Sequence, residues 1–242
     1  MRYPILNTYV DIQSFDETIE LLGAVIKKRT PVQHVVLNAS KINLMQEDEE
    51  LKEIVNSCSI INADGASIVW AAKQLGVPVK ERVAGIDLFN ELVRLAPEKG
   101  WRIYLFGAKD EVVKRVREIF LEKYPGIVIA GIRGGYFSEE ESGEIVSQIA
   151  ASNSDILFVA FSSPKKEYWI HTHLNDLNVP LAMGVGGSFD VIAGMTRRAP
   201  LWMQKRGLEW FYRFIQEPRR MWKRYIVGNF KFVRLVWRER SE

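Results

Sequence analysis

The chain reads as an open α/β fold, a mainly parallel sheet with helices on both faces, followed by a basic, aromatic helical appendage. Two observations point to the sheet. Short apolar runs repeatedly meet a polar or glycine-rich turn and then a helical pattern, an order that builds parallel sheets through right-handed crossovers. The run DILFVAF at 155–161 is apolar almost throughout, as a strand covered on both faces must be. A third observation marks the appendage. Residues 196–242 hold thirteen Lys or Arg against four Glu, a balance of +9 that leaves −6 for residues 1–195. They also carry four of the seven tryptophans, Trp202, Trp210, Trp222 and Trp237. The chain therefore divides into a core, 1–195, and an appendage, 196–242, of different charge and role.

With 242 residues, 47% apolar and 26% charged, the chain can bury a substantial core. Cys58 is the single cysteine, so no internal disulfide can form and a reducing, cytoplasmic setting is expected. The thiol itself reads as a small buried apolar group. The N-terminus has too short an apolar run and too early an acid for a signal peptide. No stretch of about 18 uncharged apolar residues occurs, so no membrane span is expected.

Residues 8–12 and 14–28 read as a strand and a helix, with Ser14 and Glu17 at capping-box spacing and Ile19, Leu22 and Ile26 as the apolar stripe. Residues 34–37 form a strand that ends at Asn38 and Ser40, before one helical stretch marked by Ile42, Met45, Leu51 and Ile54. Asn38 thus stands at a strand-to-helix edge, where it either recognises a hydroxyl or caps the helix. The stretch 60–73 has the same form: an apolar run reaches Asn62, Ala63, Asp64 and Gly65, and a helix starts at Ala66. Open α/β sheets bind ligands at this carboxyl edge, so Asp64 is the catalytic candidate, with helix capping as the alternative. Arg82 lies just before Gly85, Ile86 and Asp87, at the start of a helix closed by Pro97. It either grips a carboxylate or phosphate or pairs with Asp64 or Asp87.

Residues 101–106 are a strand, turned at Gly107 into a helix over 108–124. The next strand, 127–130, leads to Gly134, Gly135 and Tyr136. These glycines let backbone approach a flat ligand, and the tyrosine can stack on a base. Ser138 and three glutamates open a helix that runs to Ala151. After the 155–161 strand, Ser162, Ser163, Pro164, Lys165 and Lys166 begin a helix whose hydroxyls, lysines and free N–H groups suit a diphosphate. Residues 180–185 form the last strand, closed by Gly186, Gly187 and Asp190, which suit phosphate and ribose. Phe189 occupies the third glycine position of a dinucleotide fingerprint, so the site reads as one for a nucleotide and not specifically NAD. His171 and His173 diverge on one helix and no Asp-X-Asp pair ends a strand, so no bound metal is expected.

The tail reads as two helices, one to about 215 and one from 219 to 237, broken at Pro218. Apolar positions 210, 211, 214, 222, 225, 226, 230, 233 and 237 alternate with basic residues that include Arg213, Arg219 and Arg224. Such helices suit an anionic membrane surface, RNA, or packing on the core with a solvated basic face.

The phrases NADGASIVWAAK, RVAGIDLF, GGYFSEEE, SSPKKEYWI, GVGGSFDVIAG and RRAPLWMQKRGLEWFYRFIQEPRR, in this order and across nearly the whole chain, resemble the WecG/TagA/CpsF family of bacterial glycosyltransferases. The resemblance implies a Rossmann-like core and inverting transfer, without metal or cofactor, from a UDP-sugar to a polyprenyl-diphosphate-linked sugar. It places the work in cell-surface polysaccharide or teichoic acid synthesis, at the cytoplasmic membrane face, with the appendage docking there and completing the site. Asp64 then becomes the general base. Asn38 and Arg82 fall near the acceptor or donor sugar, and Gly107, Gly135, Tyr136, Gly187 and Asp190 around the UDP. Arg213, Arg219 and Arg224 become the cations for the leaving diphosphate. The chain departs from the family at Lys166, commonly Gln, and at Val36, commonly Thr. The donor therefore stays open among N-acetylmannosamine, its uronic acid and glucose, and Lys166 suits lipid diphosphate or an acidic sugar. A homo-oligomer through apolar faces of the core is compatible with this reading, and nucleic acid is not an expected partner. The competing reading is a non-catalytic nucleotide- or RNA-binding protein using the basic tail. Steeply salt-dependent RNA binding without turnover distinguishes it. A nicotinamide-dependent oxidoreductase ranks third, for want of the fingerprint.

Overall fold

The structure is a computed structural model that describes residues 1–241, apart from the side chains of Arg220 and Arg224. Six parallel strands form the sheet: β3 (Val32–Leu37), β4 (Ile60–Ala63), β5 (Arg102–Gly107), β6 (Val128–Arg133), β7 (Ile156–Ala160) and β8 (Leu181–Gly184). Their order is β4-β3-β8-β7-β5-β6. The chain winds outward from β3 to β4, crosses to β5 and β6, and then fills the centre with β7 and β8. A hairpin of β1 (Arg2–Ile5) and β2 (Thr8–Asp11) flanks the sheet, and Asp11 accepts a hydrogen bond from the Ile61 N–H of β4 at 2.8 Å. The apolar run at 155–161 behaves as its composition demands. Ile156 and Phe158 enter one core cluster, Leu157 and Val159 the cluster on the opposite face.

Helices cover both faces. Leu22 and Ile26 of α1 (Phe15–Lys28), Leu88, Phe89 and Leu92 of α5 (Gly85–Lys99), and Val113 and Val116 of α6 (Asp110–Lys123) pack on one side. The other side carries α2 (Ala39–Met45), α3 (Glu49–Ser57), α4 (Ala66–Gln74), α7 (Ser142–Ala151) and α8 (Lys165–His173). The architecture is the Rossmann-like α/β fold expected from the sequence. The capping box at Ser14 and Glu17 is present. Two local expectations for the core fail. The single helix after Asn38 is two, because Asp48 accepts from the Leu51 N–H at 2.9 Å and caps α3 separately. Pro97 does not close α5. It sits in the last turn, where the buried Leu92, Val93 and Ala96 keep the segment helical, and the left-handed Gly100 ends it.

The appendage consists of α10 (Leu201–Lys205), α11 (Glu209–Gln216), α12 (Pro218–Trp222), a π-helical stretch Lys223–Val227, and α13 (Gly228–Ser241); between β8 and α10 lies α9 (Ser188–Ile192). The expected break falls just before Pro218, the first residue of α12, a position that needs no N–H donor. The first of the two expected helices is itself two, α10 and α11, parted where Gly207 takes φ +71. The last helix packs on α2 and α4. Its Phe232 and Val236 are buried in the core cluster with Ile42, Met45 and Ile68. The Asn43 amide donates to the Gly228 carbonyl at 2.7 Å, and Glu239 accepts from the Leu6 N–H at 2.8 Å.

Candidate active site

Because all six strands are parallel, their carboxyl ends form one edge, and strand order fixes what stands along it. Asp64 follows β4, Asn38 follows β3, Gly186 and Gly187 follow β8, Ser162 to Lys166 follow β7, Gly107 ends β5, and Gly135 and Tyr136 follow β6.

Asp64 is half-buried and does not cap α4. Gly65 holds that position with φ +103, and α4 has no side-chain cap. A positive φ that glycine alone adopts readily turns the chain sharply between strand and helix, leaving the Asp64 carboxylate at the edge. Its backbone N–H bonds to the Leu37 carbonyl at 2.7 Å, and the neighbouring Ala63 carbonyl accepts from the Val83 N–H at 2.8 Å. The Gly85 N–H stands close enough to the carboxylate to favour its charged form. Burial raises the carboxyl to about 6; Arg82 opposes this, Glu209 adds to it, the Gly85 N–H opposes it and Asp87 adds again.

Arg82 takes neither partner foreseen for it in the core. Its Nη2 lies 2.5 Å from Glu209 Oε2, and Nη1 donates to the Gln204 carbonyl at 3.5 Å. Asp87 is held instead by Arg198, whose two terminal nitrogens meet its oxygens at 2.5 and 2.9 Å while Nε meets Glu209 Oε1 at 3.1 Å. Gly207, between α10 and α11, presses directly against Ala66. The appendage is thus seated beside the Asp64 loop. Asn38 proves to be a helix cap, its side-chain oxygen accepting from the Lys41 N–H at 3.0 Å.

At mid-edge Arg213 of α11 reaches the glycine turn. A Cβ on Gly187 would lie 3.0 Å from Arg213 Nη2 and 3.8 Å from Asp190 Oδ2. The Arg213 Nε is buried and has no hydrogen-bond partner. Gly107, at φ +122, lets the β7 backbone approach; a Cβ there would meet Ala160 at 2.7 Å. Gly135 packs on it, donating to the Ala108 carbonyl at 2.8 Å, with only 2.9 Å between the Gly107 Cα and where its own Cβ would stand. Tyr136 is 80% exposed beside this pair, and Arg219 is exposed on the appendage. The Arg224 side chain lies outside the described residues.

The proposed diphosphate seat on α8 is more occupied than its sequence suggests. The N–H groups of Lys166 and Glu167 already bond to the Ser162 and Pro164 carbonyls. Lys165 lies over the rings of Phe137 and Phe161. Lys166 is buried against Gly184, bonded to Ser163 and 2.9 Å from Glu167 Oε1, which Lys41 approaches to 2.6 Å from the other side. Burial would raise the Glu167 carboxyl, but Lys41 and then Lys166 hold it down at about 2. Sequence reading missed Lys41, Glu167, Arg198, Gly207 and Glu209. For Glu167 the signal lay in the motif itself, next to Lys166; the others come from distant parts of the chain.

An edge that offers an acid of raised proton affinity, close-approach glycines and arginines brought in by an appendage defines a group-transfer enzyme built on a Rossmann-like sheet. The chain belongs to the Glycosyl transferase WecG/TagA/CpsF family, which it matches over residues 3–242, and it is a glycosyltransferase. It is 35% identical over 221 residues, 91% of this chain and 82% of the relative, to an N-acetylglucosaminyldiphosphoundecaprenol N-acetyl-beta-D-mannosaminyltransferase of Bacillus subtilis (strain 168). Proteins of the same name in Bacillus spizizenii (36% over 180 residues, 74% and 69% of the two chains) and Staphylococcus aureus (strain MW2; 34% over 199 residues, 82% and 75%) are also similar.

Proposed function

We propose that this enzyme moves a sugar from a UDP-sugar to a polyprenyl-diphosphate-linked sugar in cell-surface polysaccharide or teichoic acid synthesis, with inversion and without a metal. The observation that carries the reading is the Asp64 carboxyl, raised to about 6 at the sheet edge and walled by the appendage. An acid tuned there is mostly ionised at neutral pH yet more basic than a free aspartate. It takes the proton from the acceptor hydroxyl as that oxygen forms its bond to the anomeric carbon; the bond from the anomeric carbon to the diphosphate oxygen breaks, and UDP leaves with the electron pair. Arg213, whose Nε lacks a partner beside the Gly187 turn, faces that leaving charge. Tyr136 and the close-packed Gly107 and Gly135 suit the uracil end. From β4 to β6 the edge spans five inter-strand steps, roughly 24 Å at about 4.8 Å each, room for a nucleotide-sugar and an acceptor in a row.

The relatives' names favour N-acetylmannosamine as donor sugar and an N-acetylglucosaminyl lipid diphosphate as acceptor. A lipid-linked acceptor calls for a membrane surface. Among the described residues no helix is long and apolar enough to cross one. Instead Leu201, Trp202, Phe211, Ile215, Trp222, Phe230 and Trp237 stand exposed among basic residues, the pattern of a peripheral membrane face. The test is UDP release from a panel of UDP-sugars in EDTA, with and without a short polyprenyl-diphosphate N-acetylglucosamine. Acceptor-dependent release with one donor is expected. UDP bound without turnover of any donor would refute the transfer reading.

A further inference from the structure

Beside Asp64, two arginines, Arg82 and Arg198, meet a single appendage acid, Glu209, and Arg198 links it on to Asp87 of the core. Glu209 uses both of its oxygens: Oε2 stands 2.5 Å from Arg82 and Oε1 stands 3.1 Å from Arg198, which is itself clamped on Asp87. Arg82 makes no hydrogen bond to Asp64, although it is near enough to influence that carboxylate. We infer that Glu209 is a positioning residue that draws the Arg82 guanidinium off the Asp64 carboxylate and thereby keeps that carboxylate open to an acceptor hydroxyl. An arginine paired directly with Asp64 would occupy the oxygen that has to receive the proton and would weaken it as a base. Because Glu209 belongs to α11, next to Gly207 with its contact on Ala66, the base is freed only when the appendage is seated.

The inference rests on Asp64 as the base, so its test avoids turnover. The carboxyl of Asp64 is followed by 13C NMR titration in the full chain, assigned with Asp64→Asn. The charged groups facing Asp64 are Arg82 from the loop before α5, Asp87 from α5 and Glu209 from α11, with Arg198 between the last two. In Glu209→Gln, Arg82 swings onto Asp64 and the titration midpoint moves down by about one pH unit. In the Arg82→Gln background the same substitution moves it by less than half as much, since only direct repulsion remains to be lost. An unmoved midpoint, or equal shifts in both backgrounds, overturns the inference. If Glu209→Gln unseats the appendage, seen as a lowered thermal midpoint, Glu209→Asp serves in its place, with a smaller downward shift expected and no shift overturning the inference. Loss of the transfer reading itself would show as silent turnover with these titrations unchanged.

Discussion

At Asp64, the proposed role as base and stability pull in opposite directions. The free carboxyl titrates near 3.8 and the folded one at about 6. Between those values the folded chain keeps a proton the unfolded chain has lost, so stability falls as pH rises, and the full cost persists above pH 6. Asp64→Asn removes it. Turnover should drop by about 10²- to 10⁴-fold while urea denaturation at pH 7.5 shows a gain on the order of 1–2 kcal/mol, absent below pH 4. Glu167 has the opposite sign. Its lowered carboxyl contributes stability above pH 4.5 that is lost as pH falls toward 2, and Glu167→Gln, which strands Lys41, should destabilise by about 3 kcal/mol at neutral pH. Two glycines separate likewise. Gly207→Ala meets Ala66 at φ +71 and should lower stability by about 1–2 kcal/mol. Gly187→Ala meets only the tip of Arg213, so the melting temperature should hold while the KM for the donor rises. The place of Asp64 at the sheet edge was legible because its strand-turn-helix setting is local. Its freedom from capping was not, since that depends on the φ of Gly65. The Arg198 clamp on Asp87 joins residues 111 apart, a pairing no local pattern carries.

The last helix has two apolar faces. Phe232 and Val236 are buried, and Phe230, Val233 and Trp237 look outward. The tail pattern read from the sequence caught the outward set and missed the inward one, because one amphipathic stripe accounted for the basic residues without a second. The two faces make separable predictions. Phe232→Ala should cost about 3–4 kcal/mol in a denaturant melt. The triple change of Phe230, Val233 and Trp237 to Ser should leave the fold intact and abolish co-sedimentation with anionic vesicles. Retained vesicle binding would remove the outward face from the membrane reading. The sheet was more legible than the appendage: every parallel strand showed as an apolar run before a turn, and β2 was read as a strand at 8–12, whereas β1, four residues with Pro4 among them, gave no comparable signal and left the hairpin unseen.

Across the whole molecule, a basic appendage of +9 is laid against a core of −6. Its cations meet core acids at Asp87 and Glu47, through Arg198 and Lys231, while Arg197, Lys205, Arg206, Arg219, Lys223, Arg234 and Arg238 are exposed. Binding to anionic vesicles should therefore weaken steeply with added salt, while folding, carried by apolar burial, changes little. Since the same helix that turns Trp237 outward is locked into the core through Phe232 and Val236, a bilayer beneath it would fix the height and tilt of the catalytic edge as rigidly as a keel fixes a hull. On the proposed reading, an enzyme held in that way would meet a lipid-linked acceptor by diffusion in two dimensions. At constant total acceptor, turnover should then fall as inert lipid is added, following the acceptor's mole fraction in the surface and not its bulk concentration.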